Sequence, residues 1–182
     1  MPFRKECILP DCLFPYREMD VQAFLVARRS FLANFKVGGR PFHELLRTVC
    51  LEHNVNPKLL LVSLQREQSL ITRPVAPMEA VLNRAMGFGC TDGGDMPQFY
   101  GLERQLRKAA QYYRLFFDRW MPGKPMRIDD GADKVTPANA FTSSLYEYTP
   151  WAGDIQRGGN VPPFGGKLTW LIWCRWWPTD VG

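Results

Sequence analysis

Apolar side chains recur along this chain at the spacing of about 3.6 residues that is typical of amphipathic α-helices. The clearest case is residues 102–120, where one predicted helix face is apolar and the opposite face is charged or polar. The apolar face carries Leu102, Leu106, Ala109, Tyr113, Phe116 and Trp120, and the opposite face carries Arg104, Arg107, Lys108, Gln111 and Asp118. The same period predicts further helices over about 21–36, 41–53, 57–72, 136–148 and 167–177. Stretches rich in glycine, proline and aspartate at 73–101 and 121–135 are predicted to be loops.

Capping signals indicate where several of these helices begin. Asp20 is suited to cap the helix over 21–36. Asn56 followed by Pro57, and Thr136 followed by Pro137, each combine a favourable N-cap with proline at the first helical position. The elements together predict a mainly α fold, with an irregular N-terminal arm over 1–19 and a single helical domain over 20–182 that carries Gly-rich loops.

One acidic residue, Glu67, falls within an apolar stripe of its predicted helix. In the segment NPKLLLVSLQREQSLIT, a rotation of about 100° per residue puts Glu67 in line with Leu60, Leu64 and Ile71, while Gln65, Arg66 and Ser69 lie on the other side. An ionised, unpaired carboxylate at a buried position costs several kcal/mol. Such a group either pairs with a cation, which is a structural role, or holds a proton near neutral pH, as a general acid does. The helix by itself leaves both roles open.

The composition suits one globular protein with an anionic partner. The chain has 182 residues, of which 46% are hydrophobic, and 23 Lys and Arg outnumber 18 Asp and Glu to give a net charge of +5. Nucleic acid, acidic lipid and bacterial wall polymers are all anionic, so the charge does not choose among them. No segment is long and apolar enough to span a membrane. The N-terminal residues lack a signal-peptide pattern, so we expect synthesis in the cytosol and action on the cell wall by another export route.

The cysteines and histidines do not indicate a metal site. Five cysteines match no zinc spacing, and His43 and His53 are the two histidines of the chain. Cys7 and Cys12 can form a bridge in an oxidising compartment. We therefore expect no metal and no cofactor.

The order of motifs resembles the lysozyme-like superfamily, and goose-type lysozymes and lytic transglycosylases in particular. LVSLQREQSL is similar to the catalytic helix of that family, AMGFGCTDGGD to the Gly-rich segment after it, QFYGLERQL to the start of the next helix, and FTSSLYEYTPW to the helix carrying the family tyrosine. The resemblance covers about residues 41–150. The sequence departs from the family pattern at Gln68, at Cys90, Thr91 and Asp92 of the loop, and at Glu147.

The resemblance implies a peptidoglycan glycosidase with Glu67 as the general acid. Gly87, Phe88 and Gly89 would then contact substrate, and either Tyr146 or Tyr148 would lie near the acid. The bond cleaved would be the β-1,4 linkage between N-acetylmuramic acid and N-acetylglucosamine. A hydrolase would use a second carboxylate, for which Asp92 and Asp95 are the candidates, whereas a lytic transglycosylase would use the 6-hydroxyl of the substrate.

Two other classes of function remain open. The first is a non-catalytic module that binds glycan or nucleic acid, in which Glu67 is structural; the second is a membrane-active protein that acts through its Trp-rich tail. In RKAAQYYRLFFDRW the basic and aromatic residues segregate to opposite helix faces, so we do not expect nucleic-acid binding. We expect a monomer whose partner is the peptidoglycan strand, acting either as a phage endolysin or as a secreted antibacterial effector.

Overall fold

A computed structural model describes residues 2–91, 94–129, 131–156 and 160–181 and has the mainly α architecture predicted from the sequence. The helices in this part of the chain are α1 (Val21–Ala27), α2 (Phe42–His53), α3 (Pro57–Gln68), α4 (Glu79–Leu82), α5 (Leu102–Asp118), α6 (Ala140–Tyr148) and α7 (Gly165–Trp176). Three antiparallel hairpins accompany them: β1 (Lys36–Val37) with β2 (Arg40–Pro41), β3 (Cys90–Thr91) with β4 (Gly94–Asp95), and β5 (Met126–Ile128) with β6 (Asp133–Val135).

The chain divides into two compact units. The central unit, named for its place in the sequence, comprises Tyr16–Gln111. The terminal unit comprises Met1–Pro15 and Tyr112–Gly182.

Helices α2 and α3 form the core of the central unit. The Oδ1 atom of Asn56 accepts from the backbone N–H of Lys58 at 3.0 Å, and Pro57 is the first helical residue, so the predicted start of α3 is confirmed. Most apolar positions of α2 and α3 are fully buried, among them Leu45, Leu46, Val49, Leu60 and Leu64, whereas Leu51 is exposed. Ser69 takes a left-handed conformation, with φ of 52°, and ends α3 directly after Gln68.

The predicted helix over 21–36 is wrong beyond its first turns. Asp20 caps α1 as expected, since its Oδ1 accepts from Ala23 N at 2.8 Å. However, Arg29 adopts a φ of 52°, which breaks the helix, and Ser30 then caps a short 3₁₀ helix over Phe31–Ala33.

In the terminal unit the N-terminal residues pack against the beginning of α6. Ile8 is fully buried, and its backbone N–H donates to Thr142 Oγ1 at 2.9 Å. The carboxylate of Asp11 accepts from the backbone N–H of Phe141 at 2.7 Å and so covers the exposed amides of this helix end. Apart from a 3₁₀ turn over Asp11–Leu13, this segment has the irregular backbone that the sequence predicted.

Three further predictions about the backbone need correction. The helix predicted to begin at Thr136 begins at Ala140, because the side chain of Asn139 accepts from Thr142 N at 2.8 Å and acts as the N-cap. Residues 121–135, predicted as a loop, contain the β5–β6 hairpin. Residues 73–101, also predicted as a loop, contain α4 and the β3–β4 hairpin.

The tryptophans of α7 differ in burial. Trp173 is fully buried and its indole N–H donates to Asp180 Oδ2 at 3.0 Å. Trp170 and Trp176 are half-buried. The bridge between Cys7 and Cys12 that the sequence left open is not formed in this structure. Among the described residues, no helix has the length and apolar character needed to cross a membrane.

Candidate active site

Glu67 lies in the last turn of α3 and pairs with its neighbour Arg66. The Nε atom of Arg66 donates to Glu67 Oε1 at 2.8 Å, and Nη2 lies 2.7 Å from the same oxygen. The side chain of Arg66 is 4% exposed and that of Glu67 is 25% exposed. The sequence placed Arg66 on the polar side of the helix, but its guanidinium is buried against the acid. Pairing with a cation is one of the two roles that the sequence left open for Glu67, and it is the structural one.

The second carboxylate oxygen of Glu67 faces the Gly-rich segment. Gly87 has a φ of +69°, and a Cβ atom at this position would lie 3.0 Å from Glu67 Oε2. Gly89 has a φ of +73°, and a Cβ there would lie 2.4 Å from the ring of Phe99. Both positions therefore require glycine, for backbone conformation and for space. The two oxygens of Glu67 thus have different surroundings, one facing a guanidinium and the other facing a bare backbone.

A buried glutamine on α5 holds the Gly-rich segment in place. Oε1 of Gln105 accepts from the backbone N–H groups of Met86 and Phe88, each at 3.1 Å. Its Nε2 donates to the carbonyl oxygens of Phe88 and Phe99, each at 2.8 Å. Gln105 is fully buried. The sequence reasoning missed it, although Gln105 is a polar residue beside Leu106 and Leu102 on an apolar helix face, which is the same signal that singled out Glu67.

The ring of Phe88, one of the predicted substrate-binding residues, packs inside this segment. Its centroid lies 5.0 Å from that of Phe99, with the two rings nearly perpendicular. Of these three predicted residues, Gly87 lies against Glu67, whereas Phe88 and Gly89 lie against Phe99. Their contact with substrate stays a prediction.

Asp95, at the end of the β3–β4 hairpin, belongs to a small polar cluster. Its Oδ2 accepts from Arg84 Nε, and the hydroxyl of Tyr100 donates to the same oxygen at 3.4 Å. The hydrogen bond from Arg84 is the main reason why the pKa of Asp95 is lowered from its ordinary value. The Asp95 side chain is 11% exposed.

Cys90 interacts electrostatically with the carboxylates of Asp95 and Glu67. Burial is the largest cause that raises the pKa of the Cys90 thiol, and the charges of Asp95 and Glu67 raise it further. This raised pKa does not suit a nucleophilic thiolate. Asp92, the other predicted second carboxylate, lies outside the described residues.

The two predicted tyrosines belong to the terminal unit, on α6. Tyr146 is 1% exposed, and its hydroxyl donates to the backbone oxygen of Lys5 at 3.1 Å. Burial raises the pKa of this hydroxyl. Tyr148 is half-buried, and its ring stacks on Tyr113 with the centroids 4.4 Å apart. Their roles toward a substrate stay predictions.

Chemically, the candidate site offers the carboxylates of Glu67 and Asp95 and a backbone segment that Gln105 holds in place. In the ranges 2–91, 94–129, 131–156 and 160–181 there is no cluster of three or more His, Cys, Asp or Glu residues that is suited to hold a metal ion. Carboxylates such as those of Glu67 and Asp95 can supply proton transfer and electrostatic stabilisation.

A comparison with protein-family models, with curated proteins and with solved structures finds no match to this chain.

Proposed function

We propose that this protein is a peptidoglycan glycosidase with a lysozyme-like fold, in which Glu67 is the general acid. The proposal rests on one arrangement: a partly exposed carboxylate at the end of a buried helix, with one oxygen facing a glycine-lined backbone segment. It is also supported by the order of the motifs, since α3, the Gly-rich hairpin segment, α5 and α6 follow one another as in that superfamily.

Glu67 has two properties that an acid at a glycosidic bond needs, which are a fixed position and a partly exposed side chain. Arg66 holds Oε1, which fixes the orientation of the carboxyl group. Oε2 faces Gly87, where a Cβ atom would lie only 3.0 Å from the oxygen. In the proposed reaction Glu67 donates a proton to the bridging oxygen, and positive charge develops on the departing sugar ring.

Asp95 suits a supporting role better than that of a base. Because Arg84 lowers the pKa of Asp95, this carboxylate is ionised at neutral pH, but it is a weaker base than a free aspartate. An ionised carboxylate stabilises an oxocarbenium-like ring by its charge. A reaction that needs one acid and base group, lytic transglycosylation, is therefore favoured over inverting hydrolysis.

The net charge of +5 fits this substrate. Peptidoglycan carries peptide carboxylates and lies among anionic wall polymers, so a basic protein is attracted to it at long range. A phage endolysin and an antibacterial effector are two contexts in which such an enzyme would act on the wall.

The Arg66–Glu67 pair also supports an alternative function. A glutamate that neutralises a guanidinium with 4% exposure has a sufficient structural reason to be there. A non-catalytic module that binds glycan or nucleic acid would retain the pair and have no lytic activity.

Digestion of purified peptidoglycan by the full chain, with mass spectrometry of the soluble products, tests the proposal. We expect released muropeptides that carry an anhydro end; a reducing end would instead indicate hydrolysis. Absence of release at any pH between 4 and 8 would contradict the glycosidase and leave the binding module. A measurement of DNA binding at several salt concentrations would then distinguish the two partners of that module. Binding that weakens as salt rises would indicate nucleic acid, and absence of binding would leave glycan.

A further inference from the structure

A second concave site lies in the terminal unit, formed by the end of α5, the chain after it, β5 and α6. The cleft has a volume of about 210 Å³. Its apolar wall includes Phe116 and Met126, and its polar lining includes Arg119, Lys124 and Ser143. This volume is below the range of roughly 300–1,000 Å³ that is usual for drug-sized ligands, so the cleft fits a molecule of the size of an amino acid derivative or a monosaccharide.

Two hydrogen-bond donors at this cleft are poorly used by the protein. The indole Nε1 of Trp120, which also lines the cleft, is buried and has no hydrogen-bond partner within the described part of the chain. Ser143 is 7% exposed, and its hydroxyl donates to the thioether of Met126 at 3.5 Å, which is a weak acceptor. Buried donors normally find a good acceptor, so this pair indicates a ligand that brings one.

The charges around the cleft indicate the sign of that ligand. Arg119 and Lys124 form no ion pair with any described residue, whereas Arg114 pairs with Asp118. Glu147 also lines the cleft, which leaves a net charge of +1 from its two cations and one carboxylate. The two cationic side chains, together with the two hydrogen-bond donors that lack a strong acceptor, are suited to bind an oxyanion.

We propose that this cleft binds a small organic anion, in which a carboxylate or phosphate faces Arg119 and Lys124 and a flat or apolar body packs on Phe116 and Trp120. The oxyanion would accept from the Trp120 indole and the Ser143 hydroxyl. This site is separate from the proposed catalytic carboxylates and does not depend on their function.

Titration calorimetry on the full chain tests the proposal with three probes. Hippurate carries a carboxylate on a flat body, phenyl phosphate carries a phosphate, and hippuramide is the neutral match of hippurate. We expect saturable binding of at least one anion with a dissociation constant of about 1 mM or lower, and at least tenfold weaker binding of hippuramide. Preference for hippurate would indicate a free amino-acid or peptide carboxylate as the natural group, and preference for phenyl phosphate would indicate a phosphate ester.

Four variants locate the site. Arg119→Gln and Lys124→Gln should each weaken anion binding by about tenfold, because each removes a charge-assisted contact. Trp120→Phe keeps an aromatic ring but removes the indole N–H donor, so it should weaken anion binding. In the NMR spectrum of the wild type, the indole N–H signal that shifts most on titration should be the one that is missing from this variant. Lys134→Gln, an exposed lysine on β6, is the matched control and should leave binding unchanged. Absence of saturable anion binding, equal binding of hippuramide, or equal affinity in all four variants would overturn the proposal.

Discussion

Arg66 and Glu67 are consecutive residues of α3, and both Nε and Nη2 of the arginine lie within 2.8 Å of Oε1 of the glutamate. Side chains of consecutive helical residues point about 100° apart, so this contact requires the Arg66 side chain to curl back over the helix end. The arrangement engages one oxygen of Glu67 and leaves the other facing Gly87. Arg66 thereby fixes the orientation of the carboxyl group through one of its two oxygens.

Gly87→Ala should destabilise the protein and lower wall cleavage. The substitution places a Cβ atom 3.0 Å from Glu67 Oε2 and forces a non-glycine residue to a φ of +69°. We expect a loss of about 1–3 kcal/mol in the free energy of unfolding, measured with urea. Gly38→Ala is the control, since its φ is +58° and no atom lies within 4 Å of the added Cβ. Equal loss of stability and equal activity in the two variants would show that contact with Glu67 is unimportant.

Gln105→Leu should destabilise the protein more than an ordinary surface change does. Leucine has a similar size but removes four hydrogen bonds to the backbone of Met86, Phe88 and Phe99. Each buried backbone group left without a partner costs about 1–3 kcal/mol, so we expect a total of at least about 3 kcal/mol by urea unfolding. Gln111→Leu, exposed on the same helix, should change stability by less than about 0.5 kcal/mol. Similar effects of both substitutions would contradict the role given to Gln105.

The Arg84–Asp95 pair should give a pH-dependent contribution to stability. The pKa of Asp95 is lower in the folded protein than the ordinary aspartate value of about 4. The ionised form of Asp95 therefore stabilises the fold at pH values above the ordinary pKa. The contribution is lost as the pH falls through the folded pKa. A double-mutant cycle with Asp95→Asn and Arg84→Gln, measured by urea unfolding from pH 6 down to pH 2, should show favourable coupling that disappears at the acidic end. Coupling that is independent of pH would contradict this account.

Tyr146→Phe should weaken the attachment of the N-terminal segment. The substitution removes the hydroxyl that donates to the Lys5 carbonyl at 3.1 Å within a buried environment. We expect a loss of about 1 kcal/mol in stability and faster amide exchange in residues 2–9. Tyr16→Phe is the control, because its hydroxyl donates to Glu18 at an exposed site. Unchanged exchange in the segment would contradict the anchoring role of Tyr146.

Sequence patterns predicted the elements that depend on local signals. The start of α3 followed from Asn56 and Pro57, and the amphipathic pattern of α5 followed from its apolar period. The breaks at Arg29 and Ser69 could not be predicted, because an arginine and a serine rarely take positive φ and neither carries a signal for it. The beginning of α6 was misplaced because two residues close together, Thr136 and Asn139, are both good caps, and packing decides between them.

Within the candidate site, the pattern identified Glu67 but not its partners. A polar residue within an apolar stripe is visible in the sequence, and this signal identifies Glu67. Gln105, which is fully buried, carries the same signal on α5. The burial of Arg66 was not visible, since a helical period assigns it to the polar side and only the curled side-chain conformation brings it to Glu67. The contact between Gly87 and Glu67 joins two segments that are distant in sequence, so no local pattern encodes it.

The most direct test of the central claim is the rate of peptidoglycan cleavage by wild type, Glu67→Gln and Glu18→Gln. Glutamine at position 67 keeps an acceptor for Arg66 but has no acidic proton to donate, and Glu18 is a glutamate that pairs with Arg47 on the surface. Urea unfolding should first show that all three proteins are folded under the assay conditions. We predict a loss of about 10²–10⁴-fold for Glu67→Gln and an unchanged rate for Glu18→Gln. A Glu67→Gln variant that cleaves at the wild-type rate would contradict the assignment of Glu67 as the acid.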